Sequence, residues 1–434
     1  MRIKHLSLKN FRCFERLELD LESDLTVLFA ENGGGKTALL TSIAMGLALL
    51  QPRAPKELKL LAERDARRVR TGEQWQSVGP CSISCTAAIR QPRVASTPAG
   101  EQPPTPVTWS TTVSPTSRKR EIQIDEATDA IERLRQPGTR WPLLAFYGVN
   151  RLLKAPGRKA PSLLDRFDGY QGSLEPSSSD GPLLAWLRTQ AFADFTRLRA
   201  KEEAINNKQP VKPENEPRGL DLAVYAAMQR ATPGVARIEF QPVFDAPSVR
   251  FDDGRQVAWA ELSDGYHTFM GLIGDIARRA VILNDADGIR APELIEGVVL
   301  IDEIDLHLHP RWQRAALDGL RAAFPRLQIV ATTHSPQVLS SALNRQVRRL
   351  VGWVPQSDEL HVQGRDTNSI LTELMGTKAR DEAGEAALEA LYAAIAGRRF
   401  EEAERLLSDL RQRWGDIDRE VLRATDYLED EVAE

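Results

Sequence analysis

The sequence predicts an α/β fold with a mixed sheet, a β-rich subdomain and a small C-terminal helical unit. Three short segments are almost wholly apolar, as expected of strands covered on both faces: LTVLFA from Leu25, VVLID from Val298 and LQIVAT from Leu327. A helical pattern, TALLTSIAMGLALL, directly follows the first of them. The N-terminal segments IKHLSLKNF and RLELDL instead alternate polar and apolar residues, which is typical of strands with one solvated face.

The composition is that of a soluble chain with a substantial core. Of 434 residues, 42% are hydrophobic and 27% are charged, and the formal net charge is -4. The chain as a whole is therefore not a cation that coats DNA, although the cluster RDARRVR, Arg64 to Arg70, either contacts phosphates or forms a solvated helix face. The alternating start is not expected to be a signal peptide, and there is no apolar run of about eighteen residues. With three cysteines, we expect reduced thiols, a cytoplasmic location and no membrane association.

Two regions are predicted along the chain. Residues 1–355 are expected to form a head, interrupted by a variable insertion at about 152–235 that contains the polar stretch KEEAINNKQPVKPENEPRG. Residues 356–434 are expected to form a helical interaction region, because apolar residues keep helical spacing and Gly397 and Gly415 fall where helices would end. Leu391, Leu407 and their neighbours are predicted to build a docking module, or else to pack on the head.

A glycine-rich loop joins the first apolar strand to the helix. The sequence AENGGGKT matches a phosphate-binding loop, except that Ala30 stands at the first glycine position. The predicted nucleotide-binding residues are Asn32, Gly33, Gly34, Gly35, Lys36, Thr37 and Ala38. Lys36 is expected to meet the β- and γ-phosphates of ATP, and Thr37 to hold Mg²⁺. A flexible loop with an accidental Gly-Lys-Thr is disfavoured by the flanking strand and helix.

In the stretch VVLIDEIDLHLHP, carboxylate residues directly follow a predicted buried strand. In a phosphate-loop ATPase, Asp302 would reach Mg²⁺, and Glu303 would orient and deprotonate the attacking water. The competing interpretation makes Asp302, Asp305, His307 and His309 ligands of a transition metal. The phosphate loop in the same chain favours nucleotide hydrolysis.

Three further motifs indicate which class of ATPase this is. ELSDGYHTF contains Leu262, Ser263, Asp264 and Gly265 ahead of a helix, and it resembles the LSGG signature of ABC-type ATPases. ATTHSPQVL places His334 after a buried strand, like the switch histidine of that class. NFRCF, with Arg12, resembles the opening of RecF and SMC ATPase heads. The motifs follow one another in the order found in ABC ATPases.

The resemblance implies a head-to-tail homodimer, or a higher homo-oligomer, with ATP at the subunit interface. Ser263 and Gly265 of one subunit would then bind the γ-phosphate held by the other, near a helix N-terminus. Asp305 falls in the D-loop, His334 would sense the γ-phosphate as a catalytic residue with Glu303 and Lys36, and Arg12 is assigned to the nucleotide site. The alternative for Ser263 is a helix N-cap, and His334 taken alone would be a structural histidine.

The sequence departs from the ABC pattern in two further places. Asp264 replaces a glycine of the signature, and no clear Q-loop glutamine follows the second sheet. The stretch FYGVNR, with Tyr147, Gly148 and Arg151, is the candidate for the Q-loop position.

Fewer sequence features indicate the subfamily than indicate the class of ATPase. The interval between phosphate loop and signature lacks heptads, which argues against a long-arm SMC protein, and no acidic nuclease triad follows His334. The tail and the YG-x-x-R element resemble the ATPase of Septu anti-phage systems, also found beside some retrons. That resemblance implies an HNH endonuclease partner. The alternative is a RecF-like DNA repair ATPase that contacts DNA, and a transporter subunit is disfavoured.

Overall fold

The computed structural model describes residues 1–52, 61–89, 105–114, 120–124, 128–129, 132, 139–151, 165–177, 179–243, 245–356 and 360–433. These residues divide into two units, Met1–Arg365 and Asp366–Glu434. The boundary expected from the sequence falls between 355 and 356. The sequence QPRVASTPAGEQPPTPVT, which begins at Gln91, reads as a proline-rich loop. Its residues 91–104, and residues 152–164 of the predicted insertion, lie outside the described residues.

The strands in chain order are β1 Arg2–Phe11, β2 Phe14–Asp20, β3 Leu25–Phe29, β4 Arg68–Thr71, β5 Gln74–Ser77, β6 Cys81–Ile89, β7 Thr105–Val113, β8 Arg120–Gln123, β9 Leu143–Tyr147, β10 Val235–Gln241, β11 Ala246–Phe251, β12 Gln256–Ala258, β13 Gly297–Ile301, β14 Leu327–Thr332, β15 Val347–Val351 and β16 Val354–Pro355.

The helices are α1 Lys36–Ala48, α2 Gly181–Asn206, α3 Leu220–Ala231, α4 Asp264–Leu283, α5 Ala291–Leu294, α6 Pro310–Ala323, α7 Pro336–Ser341, α8 Thr367–Ser369, α9 Glu382–Ala396, α10 Phe400–Trp414 and α11 Arg419–Ala433. Short 3-10 turns lie at Glu63–Asp65, Arg166–Tyr170, Pro213–Asn215, Trp259–Glu261, Asp285–Arg290 and Asn344–Gln346, and a π turn lies at Ile370–Leu374.

A six-stranded mixed sheet forms the centre of the first unit. Its strand order is β16-β15-β3-β14-β13-β9, and all neighbours are parallel except β16 on β15. Every residue of β3, β9, β13 and β14 is buried, as their apolar sequences predict. Because the parallel strands run in one direction, the segments that follow β3, β13, β14 and β15 all emerge at the same edge of the sheet.

A five-stranded antiparallel sheet, ordered β2-β1-β6-β7-β8, forms the β-subdomain. Burial alternates along β2, so one face is solvated, whereas the opposite face of the sheet contributes to the core. Cys81 and Cys85 lie buried in β6 as free thiols, and burial raises the pKa of each to about 12. The mixed sheet and the β-subdomain confirm the predicted fold class.

Two polar stretches fold differently from the sequence-based expectation. The stretch that begins at Lys201 is partly helical, because α2 continues to Asn206. The helix-face reading of the basic cluster is wrong: residues 64–70 form the end of a 3-10 turn and most of β4. Arg67 pairs there with Glu15, and the side chains of β4 are exposed.

The second unit carries a helical core of its own. Its buried core residues come from α9, α10 and α11: Leu391, Ala394, Ile395, Ala403, Leu407, Leu410, Val421, Ala424 and Leu428. Asp381 caps α9 by accepting a bond from the Gly384 amide at 2.8 Å, and Gly397 and Gly415 lie at helix C-termini as predicted. Leu391 and Leu407 therefore hold the unit together and are not themselves open to a partner. Within the described part of the chain, no helix combines the length and apolarity needed to cross a membrane.

Candidate nucleotide site

The glycine-rich loop occupies residues 30–35, between β3 and α1. Gly33 and Gly35 have φ values of 77° and 89°, a region that residues with side chains rarely adopt. A Cβ atom at Gly35 would also lie 2.6 Å from Cζ of Phe14. Ala30 keeps a negative φ, so alanine is tolerated at the first glycine position. No side-chain capping bond is found at the start of α1 among the described residues, so its first amides can bind an anion.

Lys36 is held over this loop. Its Nζ donates to the carbonyl oxygens of Ala30 at 2.9 Å and Glu31 at 3.2 Å. Burial lowers the pKa of Lys36, and the negative charges of Asp302, Glu303 and Asp305 partly offset that shift. The ammonium group is thus placed at the glycine loop, facing the carboxylates that follow β13.

Asp302 connects the phosphate loop to the end of β13. Its Oδ2 accepts from the Thr37 hydroxyl at 2.7 Å, and its Oδ1 accepts from the Thr332 hydroxyl at 2.6 Å. The side-chain oxygens of Thr37 and Asp302 fit a magnesium ion, because Mg²⁺ prefers hard oxygen donors and often takes only one or two from the protein. Thr37 and Asp302 would hold that ion, which would neutralise phosphate charge when bound.

Glu303 lies beside Asp302 in a strained backbone conformation. Its φ is 49°, and its amide donates to the Thr332 hydroxyl at 2.7 Å. The same hydroxyl therefore contacts both acids, through the side chain of one and the backbone of the other. Glu303 is half-buried, and the turn in which it lies sets the orientation of its side chain. Neighbouring strands hold that turn in place.

Asp305 and His334 are brought together by the end of β14. Oδ1 of Asp305 accepts from the Thr333 hydroxyl at 2.6 Å and from the His334 amide at 3.3 Å. The backbone of His334 is thereby positioned, while its half-buried imidazole makes no hydrogen bond to any described residue. The ring is available to a ligand.

The four residues of the transition-metal interpretation do not converge. Nδ1 of His309 accepts from the Arg311 amide at 3.3 Å and caps α6, and His307 is exposed. Asp302 and Asp305 are bonded to different threonines. Among the residues that the structure describes, no group of three or more His, Cys, Asp or Glu side chains is arranged to hold a metal.

The signature segment begins α4. Ser263 is at the N-cap position but its side chain makes no capping bond, and it is exposed. A Cβ atom at Gly265 would lie 2.7 Å from the carbonyl oxygen of His307, so only glycine fits this close approach to the D-loop. No hydrogen bond among the described residues joins Ser263 to the phosphate loop of its own chain.

Arg12 lies in the turn between β1 and β2. Its guanidinium donates to Oδ1 of the buried Asp65 at 3.0 and 3.1 Å. The neighbouring Cys13 and Phe14 pack at Gly35. The structure therefore places this turn beside the phosphate loop but pairs the Arg12 side chain with a carboxylate.

Arg151, which the sequence suggested only for the missing Q-loop, proves central to the geometry. It is 3% exposed and donates to the carbonyl oxygens of Asp302, Glu303 and Gly148. Burial lowers its pKa to about 10. Arg151 thus braces the backbone that carries both acids.

Thr332 and Thr333 were missed by sequence reasoning. The signal available was their place at the end of an apolar strand, directly before His334. Nothing in the pattern showed that this strand pairs with β13 and so brings both hydroxyls to the acids.

The chain matches two families of ATPase domain. Residues 5–214 match the family described as "AAA domain", and residues 135–340 match the one described as "AAA domain, putative AbiEii toxin, Type IV TA system". These matches show that the chain is an ATPase. Its relatives are the ATPases of retrons and the PtuA protein of Septu, and shorter matches extend to RecF and SMC proteins.

The retron relatives align over most of the chain. "Retron Vc95 probable ATPase" of Vibrio cholerae serotype O1 biovar El Tor is 24% identical over 80% of this chain and 73% of its own length. "Retron Ec83 probable ATPase" of Escherichia coli is 27% identical over 78% of this chain and 69% of its own. "Septu protein PtuA" of Bacillus mycoides (strain KBAB4) is 44% identical over a shorter part, 21% of this chain and 12% of its own.

Proposed function

We propose that the chain hydrolyses ATP in a head-to-tail dimer and thereby controls a partner nuclease of the HNH type in prokaryotic anti-phage defence. The bond between Thr37 of the phosphate loop and Asp302 at the end of β13 is the observation that carries the catalytic part. It joins a phosphate-binding loop to a pair of acids, which is the arrangement that phosphoryl transfer to water requires.

Within this proposal each residue of the site has a task. Lys36 and the loop amides bind the phosphates, and Thr37 and Asp302 hold Mg²⁺. Glu303 orients the attacking water and takes its proton, since Glu303 directly follows the metal-binding residue Asp302 in the chain. His334 contacts the γ-phosphate through its ring, which makes no hydrogen bond to a described residue.

The exposure of the signature segment supports the dimer. Ser263 is exposed at a helix N-terminus and leaves its hydroxyl uncommitted, so it can contact the γ-phosphate held by a second copy. Gly265 packs on the D-loop that also contains Asp305, so the signature and the D-loop would present one continuous surface to that copy.

The nuclease partner is supported by the relatives and by the second unit. Retron and Septu ATPases are similar to this chain, and the unit 366–434 has a helical core separate from the ATPase head. Because Leu391 and Leu407 are buried in that core, the partner would bind the outer faces of these helices.

Partners can be identified with the Glu303→Gln chain, tagged and recovered from its native host in the presence of ATP. The matched control is Lys36→Ala, which should hold the nucleotide more weakly. An HNH nuclease recovered in near-stoichiometric amount with Glu303→Gln supports the proposal. Recombination proteins in its place would favour the RecF-like alternative, and a membrane protein would favour a transporter subunit.

The RecF-like alternative has one observation of its own. Arg64, Arg68 and Arg70 are exposed along a 3-10 turn and β4, where DNA phosphates could reach them. ATP-dependent binding to DNA junctions by the purified chain, lost on replacing these arginines with glutamine, would favour that function.

A further inference from the structure

The turn between β15 and β16 lies at the phosphate loop. β15 runs parallel to β3, so both strands end at the same edge of the central sheet. Val351 pairs with Val354, which leaves Gly352 and Trp353 as a two-residue hairpin turn. Both have positive φ, 56° and 67°, as a type I′ turn requires. A tryptophan is an unfavourable residue at such a position, so its side chain calls for an explanation.

The Trp353 side chain is anchored at one edge and open on its surface. Its Nε1 donates to the carbonyl oxygen of Gly33 at 3.1 Å, which ties the indole to the glycine-rich loop. The residue is nevertheless 46% exposed, and its neighbours Val351 and Val354 are also exposed. A half-exposed aromatic side chain therefore lies beside the phosphate loop.

A nucleotide has two chemically different ends. The loop amides and Lys36 can satisfy the phosphates, but they offer nothing to an aromatic base. A base gains most from stacking on an aromatic side chain, because stacking buries apolar surface and tolerates different hydrogen-bonding edges. The Trp353 side chain is aromatic and is hydrogen-bonded to this loop, and the β1–β2 turn packs at Gly35 of the same loop.

We propose that Trp353 is the base-binding platform of the nucleotide site: the base of a nucleoside triphosphate held by the phosphate loop stacks on its indole ring. The bond from Nε1 to Gly33 fixes the orientation of that ring relative to the phosphates. The inference rests on the ATP site assigned to this loop, and it adds the residue that binds the base.

The experiment compares two ligands, Mg-ATP and Mg-tripolyphosphate, the second of which has phosphates but no base. Trp353→Ala should weaken ATP binding roughly ten-fold or more and leave tripolyphosphate binding unchanged, because only stacking is lost. Trp353→Phe keeps a ring without the N–H group and should bind ATP within about three-fold of the parent chain, since the stacking surface remains. Trp75→Ala removes another exposed tryptophan, on β5, and should change neither affinity.

Other outcomes would overturn the assignment in distinguishable ways. Equal ATP affinity for Trp353→Ala and the parent chain would exclude stacking. Equal losses for both ligands, or a Trp353→Phe variant as weak as Trp353→Ala, would show that the indole only supports the loop through Gly33. If the parent chain binds neither ligand, the phosphate-loop assignment itself fails, and with it the ATP site on which this inference depends.

Discussion

The phosphate-loop half and the signature half of the site differ in how completely one chain assembles them. Lys36, Thr37 and Asp302 all have hydrogen-bond partners in the single chain, and Arg151 braces the backbone behind the acids. Ser263 is exposed at the start of α4 with no side-chain capping bond. The phosphate-loop half is thus organised before any ligand binds, whereas the signature half has an exposed surface that a second chain can contact.

The difference has a simple physical cause. Asp302 and Arg151 are 1% and 3% exposed, and buried charged groups must be paired or hydrogen-bonded because desolvation is costly. A serine hydroxyl at the surface can remain bonded to water at little cost, so nothing forces it to find a partner within its own chain. The four experiments below test this comparison, from the largest expected effect to the smallest.

Replacing Glu303 with Gln should lower the rate of hydrolysis by roughly 10²- to 10⁴-fold, because the side chain can no longer take a proton from water. ATP binding should remain, since the phosphate loop is unchanged. Phosphate release and equilibrium ATP binding measure the two quantities separately. A Glu303→Gln variant that hydrolyses ATP at the parent rate would remove Glu303 from the role of general base.

Replacing Lys36 with Ala should weaken ATP binding itself by roughly 10- to 100-fold, as expected for a lost charge-assisted contact to phosphate. Titration calorimetry with Mg-ATP measures the affinity. Lys208→Ala is a matched control, because Lys208 is exposed at the end of α2. If both variants bind ATP equally well, the assignment of the phosphate loop is wrong.

Replacing Arg151 with Met should reduce kcat on the order of 10-fold to 100-fold, because small displacements of a catalytic group are costly. The ATP affinity should stay close to the parent value, since Arg151 contacts backbone carbonyls behind the acids and not the phosphate loop. Arg151→Lys retains the charge but not the planar fork, so it should recover only part of the rate. A fall in ATP affinity with unchanged kcat would contradict this positioning role.

Mixing two inactive variants tests the signature half directly. At an ATP concentration too low to fill the weakened Lys36→Ala site, Ser263→Arg and Lys36→Ala should each have little activity alone. A mixed head-to-tail dimer, however, pairs the intact loop of one chain with the intact signature of the other. Random mixing should therefore restore about a quarter of the parent activity, because half of the dimers regain one of two sites. Differently tagged chains confirm that mixed dimers form; mixed dimers without activity would rule out a site shared in this way.

Much of this arrangement could be predicted from residue order. The buried strands before Ala30, Asp302 and His334 were recognisable from unbroken apolar runs, and the glycine loop from its spacing. The basic cluster at Arg64 to Arg70 was read partly as a helix face and is in fact a turn and a strand, because pairing of β4 with β5 overrides local propensity.

The roles of Thr332 and Arg151 could not be predicted in the same way. Each lies far from Asp302 in the chain, and each reaches it only because β14 and β9 flank β13 in the sheet. Trp353 is a similar case, since its contact with Gly33 depends on β15 lying next to β3.

The sequence alone determined the fold class, the phosphate loop, the acidic strand end and the order of the ABC-like motifs. These features are local, since they depend on residue types at fixed short spacings within one strand, loop or helix. Only the tertiary structure decided which hydroxyl positions Asp302, which guanidinium braces Glu303, and which signature residues remain exposed. Those contacts join segments that are distant in the chain, and strand order, which no local pattern encodes, brings them together.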